Sequence, residues 1–250
     1  MPFTFSHPAA VLPLTYLPKR WFSLTGLFIG STIPDFEYFL RMRGLNEYSH
    51  TWHGVFWLDL PLGIFVTLVW HEVVRNKLID HLPVFIKERV YSFKNFDWTN
   101  HFKRNSLVVI LSLLIGITSH ILWDALTHER GIFVQHLQVL RGSIDIAGHV
   151  NPIYHILQHV STIIGLIAIF LAFLQWPKTS GVPYQPIFRY WFLIWLIAIT
   201  IITTRFVIGK GTYDLGDKIC VIISGFMAGV VLVSFLKISN AGNIGLLERQ

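Results

Sequence analysis

The stretch Leu107-Val-Val-Ile-Leu-Ser-Leu-Leu-Ile-Gly-Ile-Thr-Ser-His120-Ile-Leu-Trp-Asp124-Ala-Leu-Thr-His128 decides how this chain is read. From Leu107 to Leu126 it is nearly unbroken apolar sequence. As a helix it is long enough to cross a hydrocarbon layer of about 30 Å. Its far end carries His120, Asp124 and His128, spaced four residues apart. Helix positions i, i+4 and i+8 share one face, drifting slowly round it. Two imidazoles and a carboxylate therefore point one way from the end of a buried helix. Polar groups at that depth are costly unless paired or bound to metal.

Working outward, the same apolar character recurs. The chain has 250 residues, 53% hydrophobic and 14% charged, with 9 Trp and 20 Phe. Its mean hydropathy is +0.54. An ordinary soluble domain carries about 25% charged residues. Further spans are expected at Val55–Val74, Val160–Trp176, Phe188–Ile208 and Ile219–Leu236, the first kinked at Asp59-Leu60-Pro61. Residues 8–33 hold two apolar segments split by Pro18-Lys19-Arg20, each too short to span. They read as a helical hairpin, with Ser6 capping its first helix, Pro8 in the first turn, and Pro34 ending the second and delivering Asp35. The expected fold is all-α: a polytopic membrane helical bundle of about five spans plus this N-terminal hairpin. Residues 1–160 would hold the polar cluster, two spans and a basic loop. Residues 161–237 would hold three more spans and 238–250 a polar tail, all in one integrated domain.

Formal net charge is +6. No nucleic-acid module accompanies it, so no nucleic-acid partner is expected. Basic residues collect in loops instead. If the spans alternate and the hairpin dips in and out, thirteen of the twenty Lys and Arg fall on one face, including seven between Arg75 and Arg104. That face is cytoplasmic by the positive-inside rule. The histidine-rich ends then face the extracytoplasmic side of a plasma (inner) membrane. The opening residues lack the basic n-region of a secretory signal and read as retained. Cys220 is the one cysteine, which excludes an intramolecular disulfide and a cysteine-based zinc site.

Metal chemistry is the best use of twelve histidines. His120-x3-Asp124 presents two ligands from one helix, and His155-x3-His159 does the same at the next span. His50-x2-His53 can also chelate, with His53 taken as the ligand and His50 as its support. His7, Asp35 and His128 are single candidates. Imidazole and carboxylate suit zinc. His71, His81, His101 and His136 read as solvated surface residues, and His149 equally as ligand or loop residue. Asp59 and Glu72 read as helix-end charges or functional ones. His71-Glu-Val-Val-Arg75 begins like a zincin motif but ends in Arg.

Four motifs carry a family resemblance: Met1-Pro-Phe-Thr-Phe-Ser-His7-Pro-Ala-Ala, Gly30-Ser-Thr-Ile-Pro-Asp35, Ser49-His-Thr-Trp-His53-Gly54 and Ser119-His-Ile-Leu-Trp-Asp124-Ala-Leu-Thr-His128. They resemble a bacterial membrane family of unknown function, the DUF4184 type, and the membrane-bound metal-dependent hydrolases of the DUF457 type. The motifs cover about the first 160 residues. In ligand order the chain is distantly similar to the zinc-dependent phospholipase C and S1/P1 nuclease group, all-helical trinuclear phosphodiesterases. That resemblance implies His7, Asp35, His53, His120 with Asp124, His128, and His155 with His159 as ligands of one to three zinc ions. Asp124 would bridge two ions and Asp35 would be a ligand or general base. The group's N-terminal Trp ligand is missing, and His159 stands where Glu is expected.

Two functions follow as expectations. One is a membrane-embedded zinc-dependent hydrolase of a phosphoester or phospholipid, with Arg41, Arg43 or Arg130 steering the anionic substrate. The other is a non-catalytic protein with a structural metal site, or a metal carrier. The later spans hold few polar residues to line a carrier's path, among them Thr200, Thr203, Thr204 and Ser224.

Overall fold

The computed structural model describes residues 3–209 and 211–236. It is all-α apart from one small hairpin. Five helices are long and apolar enough to cross a membrane: α1 (Trp52–Asp80), α2 (Trp98–Thr127), α3 (Ile153–Leu174), α4 (Phe188–Ile208) and α5 (Leu215–Ser234). Their length and composition fit membrane spans. The chain forms two compact units. The first combines residues up to Glu37 with Leu45–Thr67 and Thr99–Gln175; the second combines Tyr38–Gly44, Leu68–Trp98 and the residues from Trp176 on. The expected tail, 238–250, lies outside the described residues.

In the first unit the stretch 8–33 contains only short helices, Pro8–Val11 and Leu24–Gly30, neither able to span. Ser6 does not cap the first; its hydroxyl donates to Phe3 O. Ser23 caps the second by accepting from Gly26 N–H. Gly26 and Gly30 lie against the α2 backbone at Val109 and Leu113, and Gly116 of α2 lies against Leu27 and Ser31. Small residues at such a crossing let two helix backbones meet closely.

Helix α1 starts at Trp52, capped by Thr51, which accepts from Gly54 N–H at 2.9 Å. The expected irregularity before Pro61 is a π-helical turn, Val55–Asp59, in which Leu60 N–H bonds Val55 O. The wider turn accommodates a proline ring that would clash with the carbonyl four residues back. Helix α2 begins at Trp98, well before the expected Leu107, with a break at Asn105. Its polar first turns conceal it from a hydropathy reading. Strands β1 (Ser143–Ile146) and β2 (His149–Pro152) pair antiparallel through a tight turn. Ala147 and Gly148 both take left-handed φ there, and Asp145 accepts from Gly148 N–H.

In the second unit α4 and α5 pack through Gly225 and Gly229, which sit against Ala198 and Ile194. Tyr190, Ile194 and Val233 form the core. The basic stretch expected on the surface is partly buried here: Arg75, Lys87 and Arg89 are all enclosed. Lys87 donates to Asp80 O and Pro183 O, and Arg75 to Phe96 O, so both cations satisfy backbone carbonyls. His71 and His81, expected in solvent, are buried as well. His71 stacks on Trp98 and hydrogen-bonds Arg75; His81 stacks on Tyr190.

Candidate metal centre

The site lies wholly in the first unit and is assembled by three backbone devices. The Gly30–Gly116 crossing sets Ser31 O 2.7 Å from His120 Nδ1. A carbonyl only accepts, so Nδ1 carries a hydrogen, and Nε2 is the nitrogen turned toward the cluster. Next, a 3-10 turn, Ile33–Asp35, aims the buried Asp35 inward. Its Oδ2 accepts from Thr4 Oγ1 at 2.5 Å, which leaves Oδ1 free to face the cluster. Third, Glu37 gathers the backbone N–H groups of Glu47, Tyr48 and Ser49. That fixes the loop so that His50 takes a left-handed φ of 62° and turns toward α2. The Asn46 amide nitrogen donates to His50 Nδ1 at 2.8 Å, which orients the ring and puts its hydrogen on Nε2, facing Asp124 Oδ2.

Asp35, His50, His120 and Asp124 form one group that could hold a metal ion. His50 Nε2 lies 3.1 Å from Asp124 Oδ2, 3.6 Å from Asp35 Oδ1 and 3.3 Å from His120 Nε2. His120 Nε2 lies 3.5 Å from Asp35 Oδ1 and 3.4 Å from Asp124 Oδ2. Zinc bonded to nitrogen or oxygen at about 2.0–2.1 Å in a tetrahedron separates its ligands by roughly 3.3–3.4 Å. The His50–His120 and His120–Asp124 separations fall in that range and the other three lie close to it, and the nitrogen and oxygen donors suit the ion. Burial alone would raise the Asp35 carboxyl, but the adjoining His120 and His50 bring it below the usual range.

His7 adjoins this group. Its ring stacks on His120 with centroids 3.7 Å apart, and its Nε2 is 3.6 Å from Asp124 Oδ1. Burial, helped by the neighbouring His120, pushes its pKa down to about 3, so the ring is neutral. Neither of its nitrogens has a hydrogen-bond partner among the described residues, and neither does Asp124 Oδ1. Buried polar atoms are rarely left so. His128 stands at the open edge, donating from Nδ1 to Asp124 O.

The other expected residues lie elsewhere. His53 is exposed beside Trp57, because Thr51 starts α1 and leaves His50, not His53, on the loop facing α2. His155 and His159 are exposed and touch each other, with ring centroids 4.7 Å apart. His149 and Arg130 are exposed, and Arg41 belongs to the second unit. The sequence signal for His50 was Glu37, an acid at the end of one polar turn able to tie down the loop that follows.

None of the curated proteins and none of the solved structures matches the chain. One family model does, described as a domain of unknown function, and it extends well past the motifs, over residues 1–235. The chain belongs to that family, DUF4184.

Proposed function

We propose that the chain is a membrane-embedded, zinc-dependent hydrolase of a phosphoester, with a phospholipid headgroup as the fitting substrate class. The near-tetrahedral spacing of Asp35, His50, His120 and Asp124 carries the reading. Asp35, His50, His120 and Asp124 would hold a divalent ion there, which would supply a water of near-neutral pKa and neutralise charge developing on the phosphoryl oxygens. Asp35 serves better as a ligand than as general base, since Thr4 occupies its second oxygen. His120 is held in one tautomer by Ser31, and Glu37 keeps the His50 loop in place. His7 and Asp124 Oδ1 would hold a second ion. The His50 and His128 side chains are 17% and 31% exposed while Asp35 and His120 are closed off, which leaves one side for a headgroup. The excess of basic residues in the 75–104 stretch supports an extracytoplasmic site.

Metal analysis of the purified protein, followed by a phosphodiester and phospholipid panel with and without chelator, tests the reading. It expects stoichiometric zinc, loss of zinc in Asp124→Ala, and chelator-sensitive hydrolysis. A protein that binds no zinc overturns it. The complete enclosure of Asp35 and His120 favours a second reading, a structural zinc site closed by four protein ligands. In that case chelator lowers the melting temperature and no substrate turns over.

A further inference from the structure

The second unit contains a cavity of about 350 Å³ beside the last two turns of α4. That volume falls within the range of small-molecule sites, ~300–1,000 Å³. Met42, Ile201 and Ile208 give it apolar walls, and Thr200, Thr204 and Arg205 line it as well. The lining thus combines apolar side chains with hydroxyl groups and one guanidinium.

Arg205 is the informative residue. Its Nε is buried without a hydrogen-bond partner among the described residues, and its Nη2 reaches Arg41 O only at 3.5 Å. A buried guanidinium N–H left open is expensive. Its guanidinium lies 5.9 Å from the Tyr213 ring, and that of Arg43 lies 5.3 Å from the same ring. Two cations are thus collected at one aromatic residue. Met42, which faces the cavity, is held at φ 50°, a left-handed conformation that an unbranched non-glycine residue adopts at some cost.

We infer that this cavity binds an anionic phospholipid. Its phosphate would accept from Arg205 and Thr204, and an acyl chain would cover Met42, Ile201 and Ile208. Arginine in the last turn of a membrane-length helix stands at headgroup depth, its stem in the apolar layer. Guanidinium matches phosphate through paired N–H donors. A free phosphate ion would leave the apolar walls uncovered, which favours a lipid.

The test uses the full chain in neutral detergent with chelator present, so the candidate metal centre plays no part. Thermal unfolding is followed by tryptophan fluorescence with added phosphatidylglycerol, phosphatidylcholine of the same chains, or inorganic phosphate. Phosphatidylglycerol should raise Tm by about 5 °C at saturating lipid, and the other two should not. Arg205→Gln should abolish the response while retaining the Tm seen in phosphatidylcholine. Ile201→Trp, which fills the cavity and keeps the arginine, should abolish it too, and decides the matter if Arg205→Gln does not fold. Asp124→Ala should respond as the parent does, which separates this site from the proposed hydrolase. Equal stabilisation by both lipids, stabilisation by phosphate alone, or a response surviving in either cavity variant overturns the inference.

Discussion

Glu37→Gln tests how the metal centre is assembled. The Glu37 carboxylate accepts from Glu47 N–H at 3.0 Å, Tyr48 N–H at 3.0 Å, Ser49 N–H at 2.8 Å and Ser49 Oγ at 2.9 Å. Burial works to raise its carboxyl, but these donors outweigh it and hold the pKa at about 2, against 4.5 ordinarily. A displacement of that size corresponds to about 3 kcal/mol. The folded-state pKa is depressed, so this stability is fully present above pH 4.5 and disappears as pH falls toward 2. Glutamine keeps one acceptor and turns an NH2 toward N–H donors. The expected cost is about 2–3 kcal/mol, borne by the loop that presents His50. Zinc affinity should therefore fall roughly 10- to 100-fold. Competition against a chromophoric chelator at pH 7 measures it on the full chain in detergent. If Glu37→Gln lowers the melting temperature while zinc affinity stays within about twofold, the loop does not position His50 and the reasoning fails.

Four further outcomes separate the residues. His50→Ala and His120→Ala should each lose bound zinc, while His53→Ala and the double variant His155→Ala/His159→Ala should retain it; metal content per protein reads this directly. Gly116→Val should lower stability by ~1–3 kcal/mol and weaken zinc binding, because a Cβ there would meet Leu27 O at 2.5 Å and Ser31 N at 2.6 Å, pushing Ser31 O from His120. Thermal unfolding and chelator competition report the two effects, and loss of stability with unchanged affinity would disconnect the crossing from the site. Asp59→Leu should raise stability by ~1–3 kcal/mol, since both Asp59 oxygens are buried without a hydrogen-bond partner among the described residues. A fall in Tm would show that Asp59 has a partner of its own. Chelator should lower the parent's Tm and leave that of Asp124→Ala unchanged.

The spans were legible because twenty apolar residues have few other uses. Their ends were not, because α1 and α2 begin in polar sequence that hydropathy discounts. Trp52 and Trp98 start helices where caps and tertiary contacts, not composition, decide. At the site, His120 and Asp124 could be read from i, i+4 spacing alone, since both lie on one helix. His7 and Asp35 could be placed near them only through the short segments that turn back. His50 and His53 were assigned in the opposite sense. Periodicity treats both as one helix face, but Thr51 caps α1 between them and a left-handed His50 breaks that face. Buried His71 and His81 show the same limit: an aromatic partner, Trp98 or Tyr190, is distant in sequence.

Charge balance bears on whether the cluster is built for a cation or held together by ion pairs. Asp35 and Asp124 bring two negative charges into a nearly closed space, where each uncompensated charge costs several kcal/mol. His7 supplies no compensation, being neutral. The remaining choices are protons on His50 and His120, or a divalent ion. Imidazolium–carboxylate pairs contract to roughly 2.7–2.9 Å and leave the other contacts long. Here the four imidazole–carboxylate distances run from 3.1 to 3.6 Å, the shortest being the hydrogen bond from His50 Nε2 to Asp124 Oδ2. His120 has already given its Nδ1 hydrogen to Ser31, and both imidazoles direct Nε2 to one point with an oxygen of each carboxylate. Four such atoms, all within 4.8 Å of one another, could hold a single dication, whose two charges would match those of Asp35 and Asp124.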